Sequence, residues 1–255
     1  MTRLASGLAL AAVALAAIIF LPPTFLVVVA CIVTALAAHE LTGIIGPRDP
    51  ASRWLVVVFA IAACVLIAMA PLNALIVVLA GLALVAVEVL FRNRTIQEAA
   101  TGLMAPIYIG LPLGLLVALH ALLGWRATLL LIGTVAVSDS AQYYSGRAFG
   151  RRPLAPAISP KKTIEGAIGG VIAGTACMAL AGRWALPFVP ALVLALAGIA
   201  VVMLGIAGDL FESRLKRVAG VKDSSTLIPG HGGVLDRIDA LLFAIPGFWV
   251  FLQAA

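Results

Sequence analysis

The chain has 255 residues, of which 63% are hydrophobic and only 11% are charged, and its mean hydropathy is +1.16. These values exclude a soluble globular domain and indicate an integral membrane protein. The apolar runs are too long and too uniform for strands, so we predict an all-α polytopic fold. The net charge of +6 is first of all a topology signal in such a chain, and we expect no nucleic-acid partner.

Nine apolar runs bounded by charge, proline or glycine predict about nine transmembrane helices. Their ranges are 4–21, 24–39, 54–70, 72–91, 102–124, 127–145, 164–182, 185–208 and 238–254. Only Pro22 and Pro23 separate the first two runs, which leaves either a tight helical hairpin or one broken element. Pro71 raises the same question. We expect residues 1–100 to form an N-terminal group of about four spans.

The basic residues are divided unevenly between the two ends of these spans. If the spans alternate in direction, fifteen of the 17 Lys and Arg residues fall on one side, and only Arg126 and Arg183 fall on the other. The positive-inside rule then predicts a multi-pass protein of the cell membrane with its N-terminus and the loops 145–163 and 209–237 in the cytoplasm. The lysines all lie in these two loops, where a compact ammonium group suits a phosphate.

Charge, glycine and histidine concentrate in residues 213–239, which read SRLKRVAGVKDSSTLIPGHGGVLDRID. Cationic side chains hold phosphate oxygens, carboxylates hold Mg²⁺, and glycines let a backbone approach a ligand closely. The mixture indicates binding of a phosphate ester that carries a metal ion. We therefore expect residues 101–255 to form a catalytic transmembrane region.

Polar side chains at the end of the eighth run share one face of a continued helix. They are Asp209, Glu212, Ser213 and Lys216. Asp236 and Asp239 stand on one face at the start of the ninth run. Asp209 and Asp236 come from different helix ends and suit an Mg²⁺ site beside phosphate oxygens. The plainer alternatives are solvated charge pairs for the first group and helix capping for the second.

Asp139 lies inside the sixth run and must face protein or water rather than lipid, which makes it a functional candidate. The alternative is a buried acid that is hydrogen-bonded to Ser138, Ser140 or a neighbouring helix.

The segment before the seventh run carries two ammonium groups and a hydroxyl at a helix start, namely Lys161, Lys162 and Thr163. Together with the free N–H groups of the first helical turn, they predict an anion site for a polyphosphate. The alternative is a topogenic lysine pair with Thr163 as a helix cap. His231, between glycines, is equally typical of a base and of a donor that organises a loop.

Residues 213–239 resemble the signature of the phosphatidate cytidylyltransferases, also called CDP-diacylglycerol synthases. The matching residues are Ser213, Leu215, Lys216, Arg217, Lys222, Asp223, His231, Gly232, Gly233, Asp236, Arg237 and Asp239. Asp139 with its flanking serines and the segment 159–166 also look like parts of that family. The resemblance therefore covers residues 138–239.

The resemblance implies that CTP reacts with phosphatidate in the membrane to give CDP-diacylglycerol and pyrophosphate for phospholipid biosynthesis. It implies Mg²⁺, a second cation such as K⁺, and a homodimer. Residues like Asp209 and Asp236 hold the metal in that family, with Asp139 and Asp239 near it. We predict a catalytic group of Asp209, Asp236, Asp239, Lys216 and Arg217. We predict a substrate-binding group of Lys161, Lys162, Thr163, Ser213, Lys222, Asp223, His231, Gly232, Gly233 and Arg237.

Three other functions remain as alternatives. A related CTP-dependent transferase or kinase would act on another membrane lipid such as a polyprenol. A transporter would place ionisable groups near the midplane in repeated or broken helices, whereas here they gather toward one end of the spans. A module that only binds anionic lipid would need the basic residues without the aspartates.

Overall fold

The computed structural model describes residues 12–47, 49–92, 96–228 and 232–254, and most of them are helical. The helices are α1 (12–20), α2 (Pro23–Ile45), α3 (Pro50–Met69), α4 (Ala74–Arg92), α5 (Ile96–Ala105), α6 (Leu111–Phe149), α7 (Ile164–Ala185), α8 (Ala191–Val218) and α9 (Leu235–Ala254). A short antiparallel hairpin, β1 (Pro153–Ala155) and β2 (Ser159–Thr163), is the one sheet among these residues. The all-α prediction is confirmed, and the hairpin is an addition to it.

Six helical stretches within the described ranges are long and apolar enough to cross a membrane. They are Pro23–Ile45, Pro50–Met69, Pro71–Phe91, Ala99–Phe149, Ile164–Ala185 and Ala191–Val218. Residues 4–11 of the first predicted span lie outside the described residues, and α9 does not belong to the six. The count of nine spans therefore stays a prediction.

The stretch Ala99–Phe149 has 51 residues, far more than the roughly 20 that cross a hydrocarbon core. A π turn at Pro106–Gly110 joins α5 to α6, and Gly124 interrupts the helical dihedral angles of α6 with φ 78° and ψ 178°. A side chain with a Cβ rarely adopts this backbone conformation, so glycine is needed there. The interruption falls at the predicted boundary between the spans 102–124 and 127–145.

Proline marks both junctions that the sequence left open. Leu21 and Pro22 are not helical, and α2 begins at Pro23. α3 ends before Ala70, and the 3-10 turn Pro71–Asn73 leads into α4. Proline lacks an N–H and has a preset φ, so it suits the first position of a helix and stops the preceding one. Each junction is a break between two helices.

Packing divides the chain into two compact units, one of residues 1–122 with 218–238 and one of residues 123–217 with 239–255. In the first unit α3 packs against α2 and against the π turn. A Cβ on Gly114 would lie 2.6 Å from the carbonyl oxygen of Cys64, so glycine permits this close approach. The predicted division near residue 100 separates N-terminal spans from a catalytic region, and it stays a prediction.

In the second unit, glycines let polar segments of two helix pairs, α6 with α7 and α8 with α9, approach each other closely. A Cβ on Gly170 of α7 would lie 3.1 Å from the carbonyl oxygen of Ser138 in α6. A Cβ on Gly208 of α8 would lie 2.5 Å from the carbonyl oxygen of Asp239 in α9. Ser138 and Gly208 each precede a predicted site aspartate in the sequence. The glycine contacts therefore bring acidic positions of the unit close together.

Candidate functional site

One ammonium group of the second unit interacts electrostatically with three carboxyl groups. Lys162 Nζ forms an ion pair with Asp209 Oδ2, and Ser213 Oγ donates a hydrogen bond of 3.4 Å to Asp209 Oδ1. Asp139 and Asp239 each interact electrostatically with both Asp209 and Lys162. Three carboxyl groups near one ammonium group can carry more negative charge than it offsets. A site of this composition attracts a further cation.

The backbone of the hairpin places Lys162 beside Asp209. Oε2 of Glu165 accepts hydrogen bonds from the N–H groups of Arg151 (3.0 Å) and Arg152 (3.3 Å). The N–H of Ile164 donates to the carbonyl of Arg152 at 2.9 Å. Both ends of the hairpin are thus fastened to the start of α7. Sequence reasoning gave Glu165 no role, although an acid in the first turn of a helix is a usable signal. Its two partners lie 13 and 14 positions away, where no local pattern indicates them.

Arg217 fastens the turn of the same hairpin to α8, because its Nε donates to the carbonyl of Ile158 at 3.2 Å. Lys161, next to Lys162 in β2, has an exposed side chain. Neighbouring residues of a strand point to opposite faces, which accounts for the different surroundings of the two lysines. Their predicted contact with a polyphosphate stays a prediction for both.

Thr163 caps α7, as the alternative to an anion site predicted. Its Oγ1 accepts a hydrogen bond of 3.1 Å from the N–H of Gly166. Cap formation engages the oxygen of the hydroxyl and leaves its proton as a donor. The structure therefore establishes the cap, and a substrate contact of Thr163 stays a prediction.

Asp139 has a different hydrogen-bond partner from those that the sequence suggested. Gln142 Nε2 donates to Asp139 Oδ1 at 3.0 Å and to Ser138 Oγ at 3.3 Å. Ser140 Oγ donates to the carbonyl of Ala136 within the helix, at 2.8 Å. The glutamine one turn along α6 thus orients the carboxylate. A Gln at i+3 from an intramembrane acid was the available signal.

The polar end of α8 confirms that these residues share one face, but the predicted alternative of solvated charge pairs is wrong. The helix continues to Val218, and Lys216 forms an ion pair with Glu212 one turn before it. The exposed side-chain fractions are 10% for Lys216 and 1% for Glu212, so this pair is buried rather than solvated. A buried ion pair is costly to break from either side. The predicted catalytic role of Lys216 stays a prediction.

Asp236 belongs to the first unit, where it organises the loop that precedes α9. Its Oδ2 accepts hydrogen bonds from Ser224 N (2.9 Å), Ser224 Oγ (2.8 Å) and Gly233 N (2.7 Å). Gly232 has φ 78°, and a Cβ there would lie 2.5 Å from Asp236 Oδ2. Glycine at position 232 is therefore explained by its backbone conformation and by the space that this carboxylate takes.

Three further residues of this loop that were predicted to bind substrate have exposed side chains, namely Lys222, Asp223 and Arg237. His231 lies outside the described residues. The roles predicted for these residues stay predictions.

Glu40 of α2 is a polar residue to which sequence reasoning assigned no role. It is 6% exposed and accepts hydrogen bonds from Ser224, Ser225, Val234 and Leu235. A carboxylate at the end of an apolar run is costly unless it is partnered, and this was the available signal. The partners themselves lie more than 180 positions away, where no local pattern points.

The carboxylates of the second unit fit the chemistry of Mg²⁺. Mg²⁺ is usually bound through one or two carboxylates and completes its shell with water and substrate phosphates. Asp209, with Asp139 and Asp239 as charged neighbours, offers oxygen ligands and surplus negative charge. Among the described residues, no group of three or more His, Cys, Asp or Glu side chains forms a ready-made metal cluster. The donor set therefore suits a metal that arrives with a phosphate ligand.

The model of the "Cytidylyltransferase family" matches residues 1–255 of this chain. The phosphatidate cytidylyltransferase of Pseudomonas aeruginosa is 50% identical over 119 residues, which cover 46% of this chain and 44% of that protein. That of Bacillus subtilis is 37% identical over 178 residues, covering 69% and 66%. An Escherichia coli protein named "Uncharacterized protein YnbB" is 42% identical over 130 residues, covering 51% and 43%. The chain thus spans less than half the length of the first and third of these relatives and about two thirds of the second.

Proposed function

The chain belongs to the cytidylyltransferase family, and on this premise we propose that it transfers the cytidylyl group of CTP to phosphatidate, giving CDP-diacylglycerol and pyrophosphate. The observation that carries the proposal is the Asp209–Lys162 ion pair with Asp139 and Asp239 as charged neighbours. It combines a cation for phosphate with carboxylates for a metal. The names of the two phosphatidate cytidylyltransferases among its relatives support phosphatidate as the lipid.

The proposed reaction joins two anions, so the protein has to position them and offset their repulsion. A phosphate oxygen of phosphatidate attacks the α-phosphorus of CTP and forms a new P–O bond. The bond from that phosphorus to the bridging oxygen of pyrophosphate breaks, and pyrophosphate leaves. Phosphatidate is already anionic, so no side chain has to act as the nucleophile. Lys161 and Lys162 hold the phosphates of CTP at the start of α7.

Mg²⁺, when bound, neutralises charge on the phosphate oxygens of CTP. We assign Asp209 as its ligand, with Asp139 and Asp239 contributing negative charge beside it. The resemblance adds Asp236 as a second ligand and a second cation such as K⁺. Ser213 orients the Asp209 carboxylate through its hydrogen bond. Gln142 does the same for Asp139.

The proposal includes a place in the cell. The N-terminus and the loops 145–163 and 209–237 face the cytoplasm, and the protein is a homodimer in the cytoplasmic membrane. Single cysteines placed in the loops 145–163 and 217–235 are then labelled from the cytoplasmic side, and Arg183→Cys only from outside. Labelling of both classes from one side would contradict this topology.

The decisive experiment follows two positions of label in CTP. The purified protein is incubated with phosphatidate vesicles, Mg²⁺ and CTP that is labelled at either the α- or the γ-phosphate. A cytidylyltransferase leaves the α label on the lipid and releases the γ label as pyrophosphate. A CTP-dependent kinase leaves the γ label on the lipid, and a polyprenol in place of phosphatidate tests the alternative acceptor. Lipid without either label would contradict both enzymatic functions.

A further inference from the structure

The carboxylate of Glu40 connects α2 to the segment between α8 and α9. Oε2 accepts hydrogen bonds from Ser224 Oγ (2.9 Å) and Leu235 N (2.8 Å), and Oε1 accepts from Ser225 Oγ (2.7 Å) and Val234 N (3.0 Å). Each oxygen thus receives one hydroxyl and one backbone N–H. The partners lie between 184 and 195 positions away along the chain. A side chain of the second helix therefore supplies the cap that the N-terminus of α9 needs.

The network of Glu40 meets that of Asp236 at one hydroxyl. Ser224 Oγ lies 2.9 Å from Glu40 Oε2 and 2.8 Å from Asp236 Oδ2. A hydroxyl has one proton and donates to one of these oxygens at a time. Each carboxylate keeps backbone donors of its own, from Leu235 to Glu40 and from Gly233 to Asp236. The two carboxylates together hold the described loop residues next to α9.

The Glu40 carboxylate occupies space that a side chain at position 233 would fill, so glycine is needed there. A Cβ on Gly233 would overlap both the Ser224 hydroxyl and the Glu40 carboxylate. The side chain of Glu40 is also nearly inaccessible, since the residue is 6% exposed. A buried carboxylate has to be satisfied by donors, and here the donors come from the segment that carries Lys222, Asp223 and Asp236.

We propose that Glu40 is a positioning residue that fastens residues 222–228 and 232–236 in the geometry that the transfer reaction requires. The inference rests on the proposed function, because these residues belong to its substrate- and metal-binding groups. Glu40 acts through Ser224, Ser225 and the first turn of α9, and it touches neither substrate. Its geometric requirement is strict, because two of its four donors are backbone N–H groups that cannot reverse their direction.

Glu40→Gln tests this requirement with the least change in size. In either orientation of the amide, its NH₂ group faces the backbone N–H of Val234 or of Leu235, so one hydrogen bond is replaced by a contact between two donors. Glu88→Gln is the matched control: Glu88 is also 6% exposed and lies in the same unit, and its Oε2 accepts from Ser52 Oγ at 3.5 Å. A hydroxyl can rotate to suit an amide, whereas a backbone N–H cannot.

The two variants are compared in full-length protein by steady-state kinetics, thermal unfolding and hydrogen exchange. We expect Glu40→Gln to lower kcat by about tenfold, as is common for groups that orient a ligand residue, and Glu88→Gln to stay within about twofold. Exchange in residues 219–228 and 232–235 should accelerate in Glu40→Gln alone, with α7 and α8 unchanged. An unchanged kcat, or unchanged exchange in these residues, would overturn the proposal. A general loss of protection in a folded variant would do so as well.

Ser225→Ala keeps the test decisive if Glu40→Gln fails to fold. It removes one hydroxyl donor from Glu40 Oε1 and leaves the three others, and it also removes the acceptor of the Leu227 N–H. Because the loss at Leu227 is local, the test uses the two amides that Glu40 itself binds, those of Val234 and Leu235. Faster exchange at these two amides together with a lower kcat supports the positioning role, and unchanged exchange at both overturns it. A parent protein that transfers no label to lipid speaks against the proposed function. In that event the exchange comparison still decides whether Glu40 holds the loop.

Discussion

Asp209 and Asp236, predicted as ligands of one metal, have opposite surroundings in their two units. Asp209 faces a cation, Lys162, and has two further carboxylates as charged neighbours. Asp236 receives three hydrogen bonds from neutral donors of its own loop. The first environment concentrates charge, and the second distributes one charge over backbone and hydroxyl groups. Two aspartates that were predicted to share one role thus lie in a charged group and in a hydrogen-bonded loop, respectively.

The difference shows that the surroundings of one aspartate concentrate charge, whereas those of the other fix the geometry of a loop. Repulsion among carboxylates is unfavourable until a cation arrives, so the surroundings of Asp209 favour metal and phosphate binding. Hydrogen bonds to a carboxylate oxygen fix its position, so the surroundings of Asp236 favour a rigid loop. A ligand role for Asp236 would add to this scaffold function. The following variants separate the two roles.

Asp209→Asn should have the largest effect. Asparagine keeps the size and the acceptor for Ser213 but removes the charge that Mg²⁺ and Lys162 require. We expect turnover to fall on the order of 10³-fold, as for the loss of a preorganised electrostatic contact, with the protein still folded in the membrane. The measurement is label transfer from CTP to phosphatidate at saturating Mg²⁺. Near-parental activity would refute Asp209 as the metal ligand.

Asp236→Asn should also abolish turnover if the residue is a metal ligand. Its amide oxygen can still accept from Ser224 N and Gly233 N, so the loop should persist. If Asp236 is a ligand, kcat of the Asp236→Asn variant should fall at least about a hundredfold. The double variant with Asp209→Asn should then be little slower than either single variant, because losing one ligand already disables metal binding. A loss of only a few-fold would make Asp236 a loop organiser alone. Hydrogen exchange of residues 219–235 is the control for loop integrity.

Lys162→Ala should weaken apparent CTP affinity by about 1.5–3 kcal/mol, as for a charge-assisted contact, and Lys161→Ala should weaken it as well, by a smaller amount. Lys162 is paired with Asp209, whereas Lys161 is exposed. Phosphatidate affinity should change less than CTP affinity in both variants. The KM values for the two substrates provide the measurement. Unchanged CTP kinetics in both variants would contradict phosphate binding by the lysine pair and leave it only a role in membrane topology.

Thr163→Ala should have the smallest effect, because it removes a helix cap at the edge of the charged group. The cap is worth about 1 kcal/mol, and Thr163→Ser should retain it. Thermal unfolding of the two variants should therefore differ by a few degrees at most. If Thr163→Ser matches the parent in stability and in CTP affinity while Thr163→Ala loses both, the hydroxyl serves the helix and the substrate together. Equal stability of all three proteins would contradict the cap.

The amino-acid sequence by itself determined the helical membrane fold, the helix boundaries near Pro22, Pro71 and Gly124, and the shared face of Asp209 and Ser213. These features depend on hydropathy, helical period and backbone restrictions, which act over a few residues. The same local rules predicted the cap formed by Thr163. They also identified which residue types suit a phosphate and a metal.

The tertiary structure decided which distant groups meet. Lys162 joins Asp209 across 47 positions, and Glu40 joins Ser224 across 184. The hairpin, the buried pair of Lys216 with Glu212 and the loop scaffold of Asp236 likewise depend on packing. A hydrogen bond or ion pair acts over a few ångströms, and only the packing of helices brings residues far apart in the chain within that distance. The sequence pattern therefore indicated which charged residues matter, and only the folded chain showed which partners they contact.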